Sequence, residues 1–283
     1  MSAGSVLGID VGWSARRATT GLAVLAWDAR TVTWSLDRTG PDKDERRRRL
    51  AALLARAVAP LQAVAVDGPL RPELECRSSY RGCDALLSRG LFQRRGKVAP
   101  TNCPSGFRLH QEAVVLADLA LEHPVARARH RPAIHARAVV EAFPNLFFGV
   151  LCDARAAVPY PDLLTRRRWT DTLYPALVAS GRLSALLRRL LPGRRLAGDW
   201  RAVDDHEDRA ALACALTALA VAAGRFVAVG GADGWVMLPP REAWGRGEAG
   251  RWAEAALRAN VAAARRDGHA ALVYRDGRPW ITA

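Results

Sequence analysis

The chain has 283 residues, of which half are apolar, and a formal net charge of +14 at pH 7. A chain of this length and apolar content buries a sizeable core, which excludes global disorder. The basic balance favours a polyanionic partner, with nucleic acid first. Only Lys43 and Lys97 are lysines in this alanine-rich, arginine-rich chain. The codon bias of a GC-rich genome and a binding surface therefore explain the positive charge equally well.

The hydrophobic pattern of the first 66 residues predicts three strands, one helix and a fourth strand. The strands over residues 6–11, 19–27 and 31–36 follow one another through short turns, which indicates an antiparallel meander. Apolar residues at helical spacing predict a helix over residues 42–59, which a proline ends. An apolar run over residues 61–66 predicts the fourth strand.

The rest of the chain predicts an arginine-rich insertion, a fifth strand and several helices. Residues 71–135 carry much glycine, proline and arginine and one clear helix, at about 109–122. The later predictions are a strand over 138–140, helices over 160–191 and 210–223, a hairpin of 225–229 with 234–238, a helix at about 250–266, and a small hairpin that turns at 275–278.

This βββαβαβα order is that of ribonuclease-H-like proteins and also of actin-like ATPases. It predicts an α/β fold in which a mixed sheet of three antiparallel strands plus parallel strands carries helices on both faces. We expect a ribonuclease-H-like domain over residues 1–240, with the basic, loop-rich insertion at about 71–135, and a C-terminal helix–hairpin appendage over 241–283.

The cysteines and the apolar runs bear on location. Five scattered cysteines without a CxxC pair indicate a reducing compartment. The first 20 residues lack the pattern of a signal peptide. The longest apolar run, over residues 210–224, is too short to cross a membrane. We therefore expect a cytoplasmic protein with no membrane partner.

Acidic residues close three predicted core strands and precede the long apolar helix. Asp10, Asp67 and Glu141 follow strands, and Asp205 and Asp208 lie three apart at the helix start. Sites in open α/β sheets form at the carboxyl ends of parallel strands, so we expect these acids at one rim. Clustered carboxylates ionise together only beside cations such as Mg²⁺ or Mn²⁺, which catalyse phosphodiester cleavage. The alternatives are a turn acid at Asp67 and a helix cap at Asp205 with a favourable helix-start charge at Asp208.

Several short motifs resemble a known family in their order and spacing. They are GIDVGW, TGLAVL, VDGPL, YRGCD, VVEAFP, the acidic start of the helix that contains ALTAL, and DGWVMLP. The chain resembles, over residues 5–240, the predicted ribonuclease-H-like nucleases of uncharacterised function, which are distantly related to Holliday-junction resolvases. The resemblance implies a metal-dependent phosphodiesterase with Asp10, Asp67, Glu141 and one aspartate of DDHED as ligands. In the family, the aspartate at the start of this helix is usually followed by alanine, whereas here Asp208 is followed by arginine. This difference leaves Asp205 and Asp208 as rival ligands.

Other residues are candidates for substrate contact. The resemblance makes Arg81 and Asp84 such candidates, with a local ion pair as the alternative. Arg94, Arg95 and Lys97 lie in the most basic loop region, where neutralisation of a nucleic-acid backbone is expected. His206, beside the acids, is a candidate for proton transfer or for helix capping.

Two other functions fit parts of the sequence. GIDVG also opens the phosphate loop of actin-like ATPases, but Trp13 takes the place of a small hydroxyl residue and no second phosphate loop follows. The other possibility is a ribonuclease-H-like scaffold that binds nucleic acid or protein and whose acids serve caps and turns. Metal titration separates this scaffold from a nuclease, and ATP binding tests the ATPase.

Overall fold

The computed structural model describes residues 2–57, 59–70, 81–96, 103–128, 135–156, 168–267 and 272–281. The strands are β1 (Gly4–Asp10), β2 (Thr20–Trp27), β3 (Thr31–Thr39), β4 (Leu61–Asp67), β5 (Val139–Ala142), β6 (Arg195–Leu196), β7 (Val227–Gly231), β8 (Gly234–Leu238), β9 (Arg246–Gly247), β10 (Gly250–Arg251), β11 (Leu272–Arg275) and β12 (Arg278–Ile281). The helices are α1 (Lys43–Ala55), α2 (Gly82–Leu87), α3 (Pro104–Leu121), α4 (Pro144–Leu151), α5 (Trp169–Ala179), α6 (Arg182–Leu190), α7 (His206–Ala222) and α8 (Trp252–Arg266).

Ten of these strands form one mixed sheet, so the α/β prediction is confirmed at this level. Their order is β12-β11-β7-β8-β5-β4-β1-β2-β3-β6. The first three strands pair antiparallel as the predicted meander, whereas β1, β4, β5 and β8 are parallel neighbours. The carboxyl ends of four central strands therefore meet at one rim.

One face of the central strands is covered by α7. A Cβ atom added to Gly8 would lie 2.1 Å from the backbone nitrogen of Ala215 and 2.3 Å from the carbonyl oxygen of Ala211. Only glycine permits this approach, and the alanine-rich helix presents little side-chain bulk of its own. The middle of α7 is thereby held against β1.

The opposite face, beyond β5, is covered by α2 and α8. Leu86 of α2 and Leu257 of α8 belong to a second apolar cluster, which includes Val229 and Val236 of the β7–β8 hairpin. The C-terminal hairpin adds β11 to β7, so the last strands extend the same sheet. The division into a 1–240 domain and a 241–283 appendage stays a prediction.

The elements differ from the sequence predictions mainly at their ends and in the insertion. The helix α1 ends at Ala55, four residues before the predicted end, and α3 begins at Pro104 rather than near 109. Proline suits the first turn of a helix, where no backbone donor is needed. The short helices α2 and α4 were not predicted, and the first part of the predicted 160–191 helix lies outside the described residues.

Candidate functional site

Asp10 and Asp67 lie side by side at the ends of β1 and β4. Ile9 pairs with Val66, so the residues that follow continue the same register on one face of the sheet. The two carboxyl groups are close enough for one to donate a hydrogen bond to the other when it is protonated. Asp10 is 8% exposed. The Oδ1 atom of Asp67 is buried and has no hydrogen-bond partner among the described residues, which is rare for a buried polar atom.

The environment of this pair disfavours the ionisation of both carboxyl groups at once. Burial raises the pKa of Asp67 to about 7. Burial, and then repulsion from Asp67, raise the pKa of Asp10 well above its usual value. Glu207 raises the pKa of Asp10 further, whereas His206 lowers it. Near neutral pH the pair holds a proton unless another cation replaces it.

The first turn of α7 brings an unpredicted acid towards this pair. A Cβ atom on Gly21, the cross-strand neighbour of Asp10, would lie 2.4 Å from the carbonyl oxygen of Glu207. Asp205 caps the helix, because its Oδ1 accepts a hydrogen bond from the Glu207 backbone nitrogen at 2.9 Å. This is the capping role that the sequence allowed for Asp205.

His206 is oriented by an acid from another helix. Its Nδ1 lies 3.2 Å from Oδ1 of Asp171, which also accepts a hydrogen bond from Arg209 at 3.3 Å. Burial alone would raise the pKa of Asp171, but its hydrogen bond with His206 and the neighbouring charges lower it. The imidazole is therefore held beside Asp10 by an ionised partner.

Asp205 and Asp208 lie on the same face as Asp10 but share an arginine from β3. Asp10 of β1, Gly21 of β2 and Arg38 of β3 are cross-strand neighbours and therefore lie in one row on the same face of the sheet. The Arg38 guanidinium forks onto Asp208, with nitrogen–oxygen distances of 3.0 and 2.7 Å, and reaches Asp205 at 2.8 Å. Arg38 is thus the shared counterion of the two predicted rival ligands.

Among the described residues, Glu141 makes two hydrogen bonds, and neither is to the aspartate pair. Its Oε1 accepts from the backbone nitrogen of Leu70 at 3.0 Å, and its Oε2 accepts from Nη1 of Arg81 at 2.8 Å. Arg81 also forks onto Asp84, at 3.2 and 3.1 Å. Glu141, Arg81 and Asp84 are 4%, 3% and 0% exposed. Arg81 and Asp84 form the local ion pair that was the alternative to substrate contact.

The tight β7–β8 turn closes over this ion-pair network. Oδ2 of Asp233 accepts a hydrogen bond from the Gly82 backbone nitrogen at 2.9 Å. Gly234 has a φ of +139°, and a Cβ atom there would lie 2.3 Å from Nη1 of Arg81 and 3.1 Å from Oε1 of Glu141. Residues 81–84 of the YRGCD motif therefore meet residues of VVEAFP and DGWVMLP, two other motifs that carry the family resemblance, in one cluster.

The basic loop residues have different environments. Arg95 is buried and donates to the carbonyl oxygen of Ala156 at 3.0 Å, so it links this loop to the segment after α4. Arg94 is exposed. Lys97 lies outside the described residues. Of these three candidates, the structure leaves Arg94 facing solvent.

The aspartate pair is the part of the predicted cluster that fits a divalent cation. Among the described residues, no group of three or more His, Cys, Asp or Glu side chains is arranged to hold a metal ion. The unpartnered oxygen of Asp67 beside Asp10 nevertheless provides the hard oxygen ligands that Mg²⁺ and Mn²⁺ prefer. The other three predicted ligands already have arginine partners.

Sequence reasoning missed Glu207 as a member of this site. The residue stands within DDHED, and its charge acts on Asp10. Glu207 and Ala211 are four residues apart, so they lie on the same side of α7, and the Glu207 carbonyl and the Ala211 side chain both face Gly21. This spacing is the sequence signal that would have identified Glu207. The spacing of Asp205 and Asp208 pointed instead to the side of the helix that faces Arg38.

Comparisons with known proteins identify no relative. No protein-family model, no curated protein and no solved structure matches the chain. Within the described ranges, no helix combines the length and apolar character needed to cross a membrane. A function must therefore be argued from the geometry of the rim.

Proposed function

We propose that the protein is a metal-dependent phosphodiester hydrolase, a nuclease, in which Asp10 and Asp67 bind Mg²⁺ or Mn²⁺. The observation that carries this proposal is the pair of carboxyl groups at the ends of β1 and β4, in which the buried Oδ1 of Asp67 has no hydrogen-bond partner among the described residues. The central strand order β5-β4-β1-β2-β3, with α7 packed beneath the pair, supports a ribonuclease-H-like fold. A fold of this kind hosts several functions, so the site rather than the fold supports the activity.

The side chains at the rim have distinct roles in this proposal. A bound divalent cation supplies charge that activates a water and stabilises the phosphoryl oxygens. Asp10 and Asp67 present the oxygen ligands, and Glu207 adds negative charge beside them. His206, oriented by Asp171, is the group that moves a proton.

Exposed arginines beside the site suit a nucleic-acid backbone. The loop that follows Asp10 carries Arg16 and Arg17, and Arg108 donates to the carbonyl oxygen of Trp13 in that loop. Within the described part of the chain, none of these three arginines forms an ion pair with a carboxylate. Unpaired arginines exchange their counterions for phosphates, which supports DNA or RNA as the substrate class.

Calorimetric titration with Mn²⁺ and Mg²⁺ tests the proposal. We expect the wild-type protein to bind Mn²⁺ and the Asp10→Asn variant to lose binding. Asp44→Asn removes an exposed carboxylate of α1, 76% exposed at its side chain, and is the matched control. A screen of DNA, RNA and small phosphodiesters with the wild-type protein and Asp10→Asn then identifies the substrate. Equal Mn²⁺ binding by the wild type and Asp10→Asn would place the metal elsewhere.

A second candidate is a scaffold that binds nucleic acid or protein without catalysis. It is favoured by the pairing of Asp205, Asp208 and Glu141 with arginines, which gives these acids structural partners. Nucleic-acid binding that persists unchanged with EDTA, together with no Mn²⁺ binding in the presence of nucleic acid, would favour the scaffold.

A further inference from the structure

Glu141 lies on the face of the sheet opposite to Asp10 and Asp67. In the β4–β5 pair, Glu141 is opposite Val66, and Asp67 is opposite Ala142. Side chains alternate between the two faces along a strand, so a shift of one residue changes the face. Glu141 therefore ends a neighbouring strand at the same rim but points away from the aspartate pair.

The environment of Glu141 is complete on its own face. Both carboxylate oxygens accept hydrogen bonds, whereas Oδ1 of Asp67 has no partner among the described residues. The charge of Glu141 is balanced by Arg81, whose fork is held in turn by Asp84. The backbone of Gly234 packs against the guanidinium and leaves no room for even a methyl group.

We propose that Arg81 is the permanent counterion of Glu141 and that the rim therefore binds a single divalent cation, held by Asp10 and Asp67. The number of ions rests on the proposed function, whereas the pairing of Arg81 with Glu141 does not. A second ion at Glu141 would have to displace a buried guanidinium that makes three hydrogen bonds to two carboxylates. Removing one partner from such a buried network leaves an uncompensated charge, which is strongly unfavourable.

The experiment is Mn²⁺ titration calorimetry on the full chain, with the wild type, Glu141→Gln and Asp67→Asn compared at one pH. Glutamine keeps an amide oxygen that accepts from Leu70 or from Arg81, while Asp84 continues to pair with Arg81. We expect one Mn²⁺ per chain in the wild type and in Glu141→Gln, with dissociation constants within about threefold of each other. We expect Asp67→Asn to weaken binding by about tenfold or more, because it removes a ligand.

Three outcomes would overturn the inference, and they are distinguishable. Two Mn²⁺ per wild-type chain, or an electron paramagnetic resonance signal from a magnetically coupled Mn²⁺ pair, would overturn it while leaving the proposed function intact. So would a loss of affinity of about tenfold or more in a folded Glu141→Gln. An absence of Mn²⁺ binding by the wild type, with and without nucleic acid, would overturn both. If Glu141→Gln does not fold, the wild-type stoichiometry and resonance signal still decide.

Discussion

Asp67 and Glu141 end neighbouring parallel strands, and their side chains lie on opposite faces of the sheet. The β4–β5 register places Glu141 beside Val66, one residue before Asp67. Asp67 joins Asp10 under the start of α7, whereas Glu141 binds Arg81 beneath the β7–β8 turn. Among the described residues, the rim therefore contains one acidic pair without an arginine partner and, on the other face, Glu141, which shares Arg81 with Asp84.

The Asp10→Asn substitution should raise the stability of the metal-free protein while abolishing metal binding. Near pH 8 the wild type must either hold a proton between the two carboxyl groups or accept their repulsion, and asparagine removes this conflict. We expect a gain of about 1–2 kcal/mol in the free energy of unfolding, measured by urea denaturation in EDTA. Asp44→Asn should leave it unchanged. A less stable Asp10→Asn would contradict the conflict between the carboxylates.

The stability of the metal-free protein should fall as the pH rises through neutrality. Burial raises the pKa of Asp67 from 3.8 to about 7 in the folded state. Between these values the folded state holds a proton that the unfolded state releases, so stability increases with proton concentration. This contribution is fully present below about pH 4 and is lost as the pH passes through about 7.

The direction of this pH dependence is checked by urea denaturation in EDTA across this range. The denaturation midpoints of the wild type and of Asp67→Asn are compared. The wild-type curve should slope downward between about pH 5 and 8, and the slope of Asp67→Asn should be smaller. Stabilisation by Mn²⁺ should increase with pH over the same range, because the ion competes with protons for the same oxygens. Parallel curves for the two proteins would exclude Asp67 as the titrating group.

The Arg81→Met substitution should destabilise the protein strongly. It leaves Glu141 and Asp84 buried without their shared cation, which typically costs about 3–5 kcal/mol. Adding Glu141→Gln should recover part of the loss, because one uncompensated charge is removed. The Arg89→Met variant breaks an exposed pair with Asp267 and should cost about 1 kcal/mol or less. Thermal and urea unfolding of the four proteins measure these differences, and equal losses for the two single arginine variants would refute the structural role of Arg81.

The Gly8→Ala substitution should displace the middle of α7 from the sheet. The added methyl group would lie 2.1 Å from the backbone of Ala215, and a helix backbone cannot yield as a side chain can. We expect a loss of about 3 kcal/mol in the free energy of unfolding, typical of overpacking in a core. Gly40→Ala is the control, because its methyl group would meet only the end of the Glu45 side chain, at 3.2 Å. If the two variants are equally stable, α7 does not approach β1 this closely.

The acid of DDHED that matters most for metal binding should be Glu207. Its negative charge raises the pKa of Asp10, whereas Asp205 and Asp208 share Arg38 as their counterion. We expect Glu207→Gln to weaken Mn²⁺ binding several-fold and Asp205→Asn, which keeps a capping side chain, to change it little. Calorimetry on these variants and Asp208→Asn decides between them. If Asp208→Asn weakens Mn²⁺ binding more than Glu207→Gln does, Arg38 releases Asp208 when the ion binds.

The sequence by itself determined the elements and their approximate order. Apolar runs, turn residues and a helix cap are local signals, so the meander, β4, α7 and the last hairpins were predictable, as was the position of Asp10 and Asp67 at strand ends. The short helices α2 and α4 were not, because each has fewer than nine residues and therefore little periodicity to detect.

Only the tertiary structure decided which acids meet. The face of Glu141 depends on a register shift of one residue between β4 and β5, which strand composition does not encode. Its partner Arg81 is 60 residues away, and Arg38 is 170 residues from Asp208, so neither pairing leaves a local pattern. Five acids near one rim were visible in the chain. Their division, within the part of the chain that the structure describes, into three arginine-bound carboxylates and one pair without an arginine follows from how the elements pack.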